Sequence, residues 1–342
     1  MSHAYSNVET FVPRLSPASL SSMRKDMVDL TPFFPPEGQL LHTPENRAAC
    51  ASSGGLLQAM AAGTVLEGTA LLCDQEHNLT VSLGNGILGT IPREEAALGI
   101  AEGTTRDIAI LSRVGRPVAF LVEDIGLREG TLHPILSRRR AQRLALDALL
   151  THARPGTVLP AVVSHLEPFG AFVDLGCGVT SMIGIEHISV SRISHPGQRF
   201  YPGQAIFVVV LDLDPEQERI YLTHRELLGT WSENAAPFRP GMTVPGIVRG
   251  IKEYGAFVEL APNLSGLAEM RDGLQEGQRV SVFIKSIVPE KMKIKLLIID
   301  LLPPEPPAPL SYFITGGQLT HWRYAPEGCT RVGAETVFLA PE

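Results

Sequence analysis

The chain has 342 residues, 44% apolar and 19% charged, with 32 glycines, 27 prolines and a formal net charge of −7. The acidic balance argues against sequence-independent duplex binding, which sets many cations against phosphates, and the longest apolar run, Ala205–Leu211, is far short of a membrane span. Four scattered cysteines without a Cys-x-x-Cys pair give neither a zinc set nor a disulfide framework, and point to a reducing, cytoplasmic setting.

Residues 1–61 read as an N-terminal arm. Serines and Pro13, Pro17, Pro32, Pro35 and Pro36 divide its first 43 residues into a largely disordered stretch. A short helix starts at Thr43-Pro44, with threonine as cap and proline at the first helical position, and closes at Gly63, with Gly54-Gly55 as a possible break. No apolar core of a signal peptide is present. From 62 to 137 the text turns to short strands: Val65–Leu72, Leu79–Leu83, Ile87–Ile91, Val118–Val122 and Thr131–Leu136. Five strands in so short a segment fit a small closed barrel. Residues 138–152 read as a linking helix whose arginines form a solvated face.

Residues 153–230 and 238–301 repeat one another. Pro168-Phe169-Gly170-Ala-Phe172-Val-Asp174 returns as Glu253-Tyr254-Gly255-Ala-Phe257-Val-Glu259. Alternation places Ala171, Val173 and Leu175 on one face and Gly170, Phe172 and Asp174 on the other. Ala256, Val258 and Leu260 against Gly255, Phe257 and Glu259 follow suit. A phenylalanine beside a glycine and a carboxylate is either a platform for a stacked base or an aromatic packed under a loop; two copies in register favour the platform. The first barrel lacks this run. In the second, the remaining strands are Gly156–Leu166, Ser181–Ile185, Gln204–Leu213 and Arg219–Thr223. In the third they are Thr243–Ile251, Gly266–Glu269, Arg279–Val288 and Met292–Ile298. Residues 302–342 are a Pro-rich linker and a tail, with a hairpin expected between Tyr312–Thr315 and Gln318–Tyr324 and Trp322 as its anchor.

Gly156, Phe169-Gly170-Ala-Phe172-Val-Asp, Gly184-Ile-Glu-His187-Ile-Ser, Gly203, Asp214 and Arg219-Ile-Tyr-Leu-Thr, in that order, resemble the S1 RNA-binding domain family, the OB-fold module of bacterial ribosomal protein S1. The resemblance spans about residues 63–300, in an arrangement similar to short three-barrel S1 forms. It implies an all-β chain of tandem five-stranded OB barrels. It also implies an RNA-binding face made of Phe169, Phe172, His187, Asp214 and Arg219 in the second barrel. There rings stack on bases, Arg219 meets phosphate or stacks, and Asp214 orients Arg219. Strict alternation would put Phe169 on the core side; the resemblance places it outside. In the third barrel Tyr254 and Phe257 remain, Glu269 stands at the histidine position, and Lys293 takes the place of the arginine. His77, near the aromatic position of the first barrel, reads as a solvated loop residue.

Neither a Gly-x-Ser-x-Gly elbow nor a phosphate loop occurs, and the histidines between His152 and His224 match no His-x-x-x-His pair. A non-enzymatic protein without metal or cofactor is expected, monomeric and off the membrane; the resemblance implies that it binds single-stranded mRNA in translation, with the small ribosomal subunit as a partner. An accessory role in RNA decay or transcription, and a protein-interaction scaffold using the same faces, are the alternatives.

Overall fold

The computed structural model describes residues 32–128, 131–306, 309–331 and 333–339; the expected disorder of residues 1–31 lies outside these. Three segments close into five-stranded barrels. The first contains β1 (Leu66–Cys73), β2 (Leu79–Gly84), β3 (Ile87–Ile91), β4 (Pro117–Arg128) and β5 (Thr131–Ser137). It is preceded by α1 (Pro44–Cys50) and α2 (Ser53–Ala62), and α3 (Ile108–Leu111) lies between β3 and β4. Helix α4 (Arg138–His152) leads into β6 (Val158–Glu167), β7 (Gly170–Asp174), β8 (Thr180–Gly184), β9 (Ala205–Asp214) and β10 (Arg219–Thr223). Helix α5 (Trp231–Ala235) precedes β11 (Thr243–Lys252), β12 (Gly255–Ala261), β13 (Leu264–Ala268), β14 (Arg279–Val288) and β15 (Lys293–Leu301). The pair β16 (His321–Arg323) and β17 (Glu335–Val337) is the last among the described residues.

All three barrels share one strand order, first-second-third-fifth-fourth, with the fourth closing on the first. In each, the third and fifth strands pair parallel. This is the OB architecture, and full closure leaves no open sheet edge. The alternation that defines it holds in the central barrel: Ala171, Val173 and Leu175 are fully buried with Ala161, Val163, Val208 and Val210.

Residues 32–61 are not a loose arm. Phe33, Phe34 and Leu40 pack against the central core, forming a strap across the first and second barrels. The Glu37 carboxylate accepts from Arg138 Nε at 2.6 Å and Nη2 at 2.9 Å, and from the Ala119 N–H. The Glu37 N–H in turn donates to Asp174 at 2.8 Å. The Gly38, Leu40 and Leu41 N–H groups all donate to Glu67. A Ser- and Pro-rich composition concealed these anchors, because two adjacent phenylalanines and one glutamate do not change a window average. Thr43 caps α1 as expected, but the helix breaks at Ser52, which caps α2. Gly54 and Gly55 lie inside α2, where a side chain at Gly55 would strike the Ala49 carbonyl.

The arginines of α4 keep the expected solvated face with one exception. Arg138 is buried against Glu37, while Arg139, Arg140 and Arg143 pair with Glu95, Glu123 and Glu218. The tail also departs from expectation. His321–Arg323 pairs with Glu335–Val337, not with Tyr312–Thr315. Tyr312 is drawn away to buried His224, whose Nε2 lies 3.0 Å from its hydroxyl, and the Phe313 N–H donates to the Leu227 carbonyl. Trp322 is buried beside Tyr324, whose hydroxyl donates to the Asn263 carbonyl of the third barrel.

Candidate nucleic-acid interface

The site is built on two tight hairpins. Glu167 pairs with Gly170 across β6 and β7, so Pro168-Phe169 is the two-residue turn. Phe169 is therefore outside strand alternation, and its ring is 56% exposed. The third barrel repeats this with Lys252 paired to Gly255 and Tyr254 in the turn, 68% exposed. Glycine follows the turn for lack of room: a Cβ on Gly170 would stand 2.5 Å from the Ile183 carbonyl, and one on Gly255 would strike Ala268. Each turn aromatic meets the outward phenylalanine of the next strand edge to face. The centroids are 6.2 Å apart for both Phe169–Phe172 and Tyr254–Phe257, a favoured aromatic geometry.

Register extends the central barrel's platform sideways. His165 on β6 pairs with Phe172 on β7, Phe172 with Met182 on β8, and Met182 with Tyr221 on β10. The His165 and Phe172 rings stack at 4.2 Å and 8°. Met182 and Tyr221 are 38% and 43% exposed. A row of four outward side chains, three of them planar, crosses the sheet. Of this row, only Phe172 stands out in the sequence as an outward aromatic. Tyr221 had a signal, since it alternates with buried Ile220 and Leu222. Its adjacency to Phe172 depends on the parallel β8–β10 register, which no local pattern announces.

The other expected residues fall to either side. The Phe169 carbonyl accepts the Ile185 N–H, which brings the short helix Ile185–His187 to the turn end. Burial lowers the His187 pKa, with Arg225 adding to the effect, so the ring is neutral near pH 7. Its Nδ1 is buried with no hydrogen-bond partner among the described residues. That buried nitrogen is closed to a ligand, so the ring can meet a base only through Nε2, which lies 3.7 Å from the Glu186 carboxylate. Arg219 lies at the opposite end, two residues along β10 from Tyr221 and on the same face. It pairs in register with Asp214, but no ion pair joins them; the Asp214 carboxylate accepts the Gln217 N–H at 3.0 Å and caps the turn. The orienting role expected for Asp214 is thus replaced by a turn-forming one. Asp174, expected on the open face, is covered by the strap. It accepts N–H groups of Glu37, Gly176 and Gly178, and burial pushes its pKa up to about 7.

In the third barrel the row is Phe257, Leu267 and Lys295. Lys293, exposed and without an ion-pair partner among the described residues, holds the register position of Arg219, with Val288 opposite instead of an aspartate. Glu269 is engaged by Lys285 at 2.6 Å. In the first barrel Thr80 and Thr90 occupy the row, and His77 pairs with Asp107 at 3.3 Å. Stacking capacity therefore falls from the second barrel to the third and is lost in the first.

Residues 152–225 match the S1 RNA binding domain family. Over 178 residues the chain is 34% identical to the small ribosomal subunit protein bS1 of Leuconostoc lactis, covering 47% of this chain and 41% of that protein. Over 203 residues it is 32% identical to the small ribosomal subunit protein bS1 homolog of Bacillus subtilis, with coverages of 55% and 52%. The chain spans about half the length of the curated relatives it matches. Among solved structures, a multidomain protein with nucleic acid binding domains from Streptococcus pneumoniae matches 69% of this chain and 73% of its own, at 14% identity and a TM-score of 0.24.

Proposed function

We propose that this protein binds single-stranded RNA through the outward faces of its second and third barrels and acts without catalysis in translation. The observation that carries the reading is the exposed row His165–Phe172–Met182–Tyr221, with Phe169 at its turn end, on the barrel that matches the S1 family. Planar side chains accept any base, so the row grips single strands and gives little sequence preference. Phe169, Phe172, His187 and Arg219 contact RNA in the second barrel, and Tyr254, Phe257 and Lys293 in the third. Asp214 serves by shaping the turn. The likeness to bS1 proteins supports mRNA as the RNA, the small ribosomal subunit as a partner and the cytoplasm as the place.

The test is fluorescence anisotropy with a labelled single-stranded RNA across a salt series. Duplex RNA and the Phe172→Ala/Phe257→Ala protein serve as comparisons. Binding that the double variant loses, with a log–log salt slope of about −2 for roughly three phosphates on a single strand, is the expected result. A folded wild-type protein that binds no single strand would transfer the aromatic faces to a protein partner. Co-sedimentation with small ribosomal subunits tests the place in translation.

A further inference from the structure

The two RNA faces are joined by a buried ionic junction that repeats the logic of the junction before it. Counting along β7 from its turn, the outward positions are Phe172 and then Asp174; along β12 they are Phe257 and then Glu259. Both acids are buried, and both lie against the preceding part of the chain. Asp174 accepts the Glu37 N–H of the strap that ties the first barrel to the second. Glu259 receives Arg199, from the β8–β9 loop of the second barrel, and Arg249 of its own barrel, whose Nε lies at 3.0 Å. Around Glu259 the same loop binds the tip of the β12–β13 hairpin. The Val190 N–H donates to Asn263 Oδ1 at 2.8 Å, the Ser191 and Ser265 hydroxyls are 2.9 Å apart, and the Ser191 N–H donates to the Pro262 carbonyl.

That loop begins at His187, at the turn end of the second barrel's face. The order is therefore Asp174, Phe172, Phe169 with His187, the loop, Glu259, Phe257, Tyr254. The turn end of one face meets the acid end of the next, and Ser265, the register partner of Glu259, is one pleat repeat from Leu267, the partner of Phe257. Two strand residues span about 7 Å, so the seam adjoins the third barrel's aromatic row. At the seam stands Arg192, exposed, next to the bonded Ser191 and without a carboxylate partner among the described residues.

We propose that the second and third barrels form one head-to-tail site that holds a single RNA strand in one direction, with Glu259 fixing the register of the two faces and Arg192 meeting a phosphate at the seam. This rests on the RNA-binding reading above. Linked sites in fixed geometry gain affinity through effective concentration, and lose that gain when the geometry is freed.

Anisotropy with oligouridines of roughly 5 and 20 nucleotides, the first near the lower limit and the second beyond the upper limit of what one OB barrel holds, tests it on the full chain. The wild type should bind the longer RNA at least about tenfold more tightly, a small share of the gain linkage permits. Arg192→Ala, at the surface, should lower the long-RNA affinity about fivefold, the weak end of one lost contact, and leave the short-RNA affinity unchanged. Glu259→Gln should bring the long-RNA affinity toward the short-RNA value. Photo-crosslinking from a 4-thiouridine at the 5′ or the 3′ end should label different barrels. Equal labelling of both barrels from both ends, or equal affinity of wild type for both lengths, would overturn the composite site while leaving RNA binding intact. Failure to bind either RNA would overturn the RNA reading itself.

Discussion

Tyr221 is the sharpest test of the row, because the row was found only through the β8–β10 register. It projects from β10 beside Met182, 43% exposed, with Asp212 opposite on β9. A stacked base is worth about 1–3 kcal/mol by alanine substitution. Against this, a phosphate about 6 Å from one carboxylate is repelled by about 0.7 kcal/mol in water, and salt screens part of that. Asp212 stays in the variant, so this repulsion is common to both proteins, and Tyr221→Ala should cost the stacking energy itself, about 1–3 kcal/mol, roughly 5- to 160-fold in Kd. Folding should barely suffer, since strand-residue preferences at half-exposed positions span only about 1 kcal/mol. Tyr221→Phe keeps the ring and should bind within about twofold of wild type. The assay is anisotropy with a single-stranded RNA, with circular dichroism to verify the barrel. A folded Tyr221→Ala protein that binds as wild type would show that RNA stops at Phe172 and that the row is not a unit.

Asp214→Asn keeps an acceptor for the Gln217 N–H and removes a charge beside the site; affinity at low salt should hold or rise by up to about threefold, and a tenfold loss would return this carboxylate to RNA contact. Arg138→Met leaves the buried Glu37 carboxylate only the Ala119 N–H and the longer Arg113 contact at 3.4 Å, and should lower unfolding free energy in urea by about 3 kcal/mol, the low end for a broken buried pair. Burial pushes Glu67 up to about 7, so between its unfolded value near 4.5 and pH 7 the folded state holds the extra proton. Stability therefore falls as pH rises, by about 1 kcal/mol from pH 6 to 8 for this group, with Asp174 acting in the same direction. A rise over that range would mean that the three N–H donors on Glu67 outweigh its desolvation. Gly156 has φ +89° and its missing Cβ faces the Leu319 carbonyl, so Gly156→Ala should loosen the tail and hasten limited proteolysis after residue 310.

The strands were legible because each barrel writes its core in period two, as Ala171, Val173 and Leu175 do. Phe172 and Phe257 were legible for the converse reason, as aromatics on the polar side of that alternation. Phe169 defied alternation because it belongs to a two-residue turn, where side-chain direction follows turn geometry and not pleat. Met182 and Tyr221 needed a parallel register that is a property of closure, not of either strand. The acids at positions 174 and 259 looked like solvated neighbours of the platform. Their burial depends on residues 137 positions and 60 positions away, Glu37 and Arg199, a separation at which sequence pattern carries no information.

The same distant pairings reconcile a net charge of −7 with an RNA-binding reading. Sequence counts charges without knowing how they are employed. Arg138, Arg139, Arg140 and Arg143 are all committed to carboxylates of the fold, and Arg199 and Arg249 share Glu259. The buried ones, Arg138, Arg199 and Arg249, hold barrels and linking helix together and offer nothing to phosphate, while the surface pairs of α4 offset much of their charge locally. Among the described residues, Arg192, Arg219, Lys293 and Lys295 remain exposed and without ion-pair partners along the two faces and their seam. With so few cations against a long aromatic surface, affinity must come chiefly from stacking, and stacking does not release counterions. A shallow salt slope together with a large penalty for ring deletion is therefore a joint signature of this fold, and either one without the other would contradict the assignment of its charges.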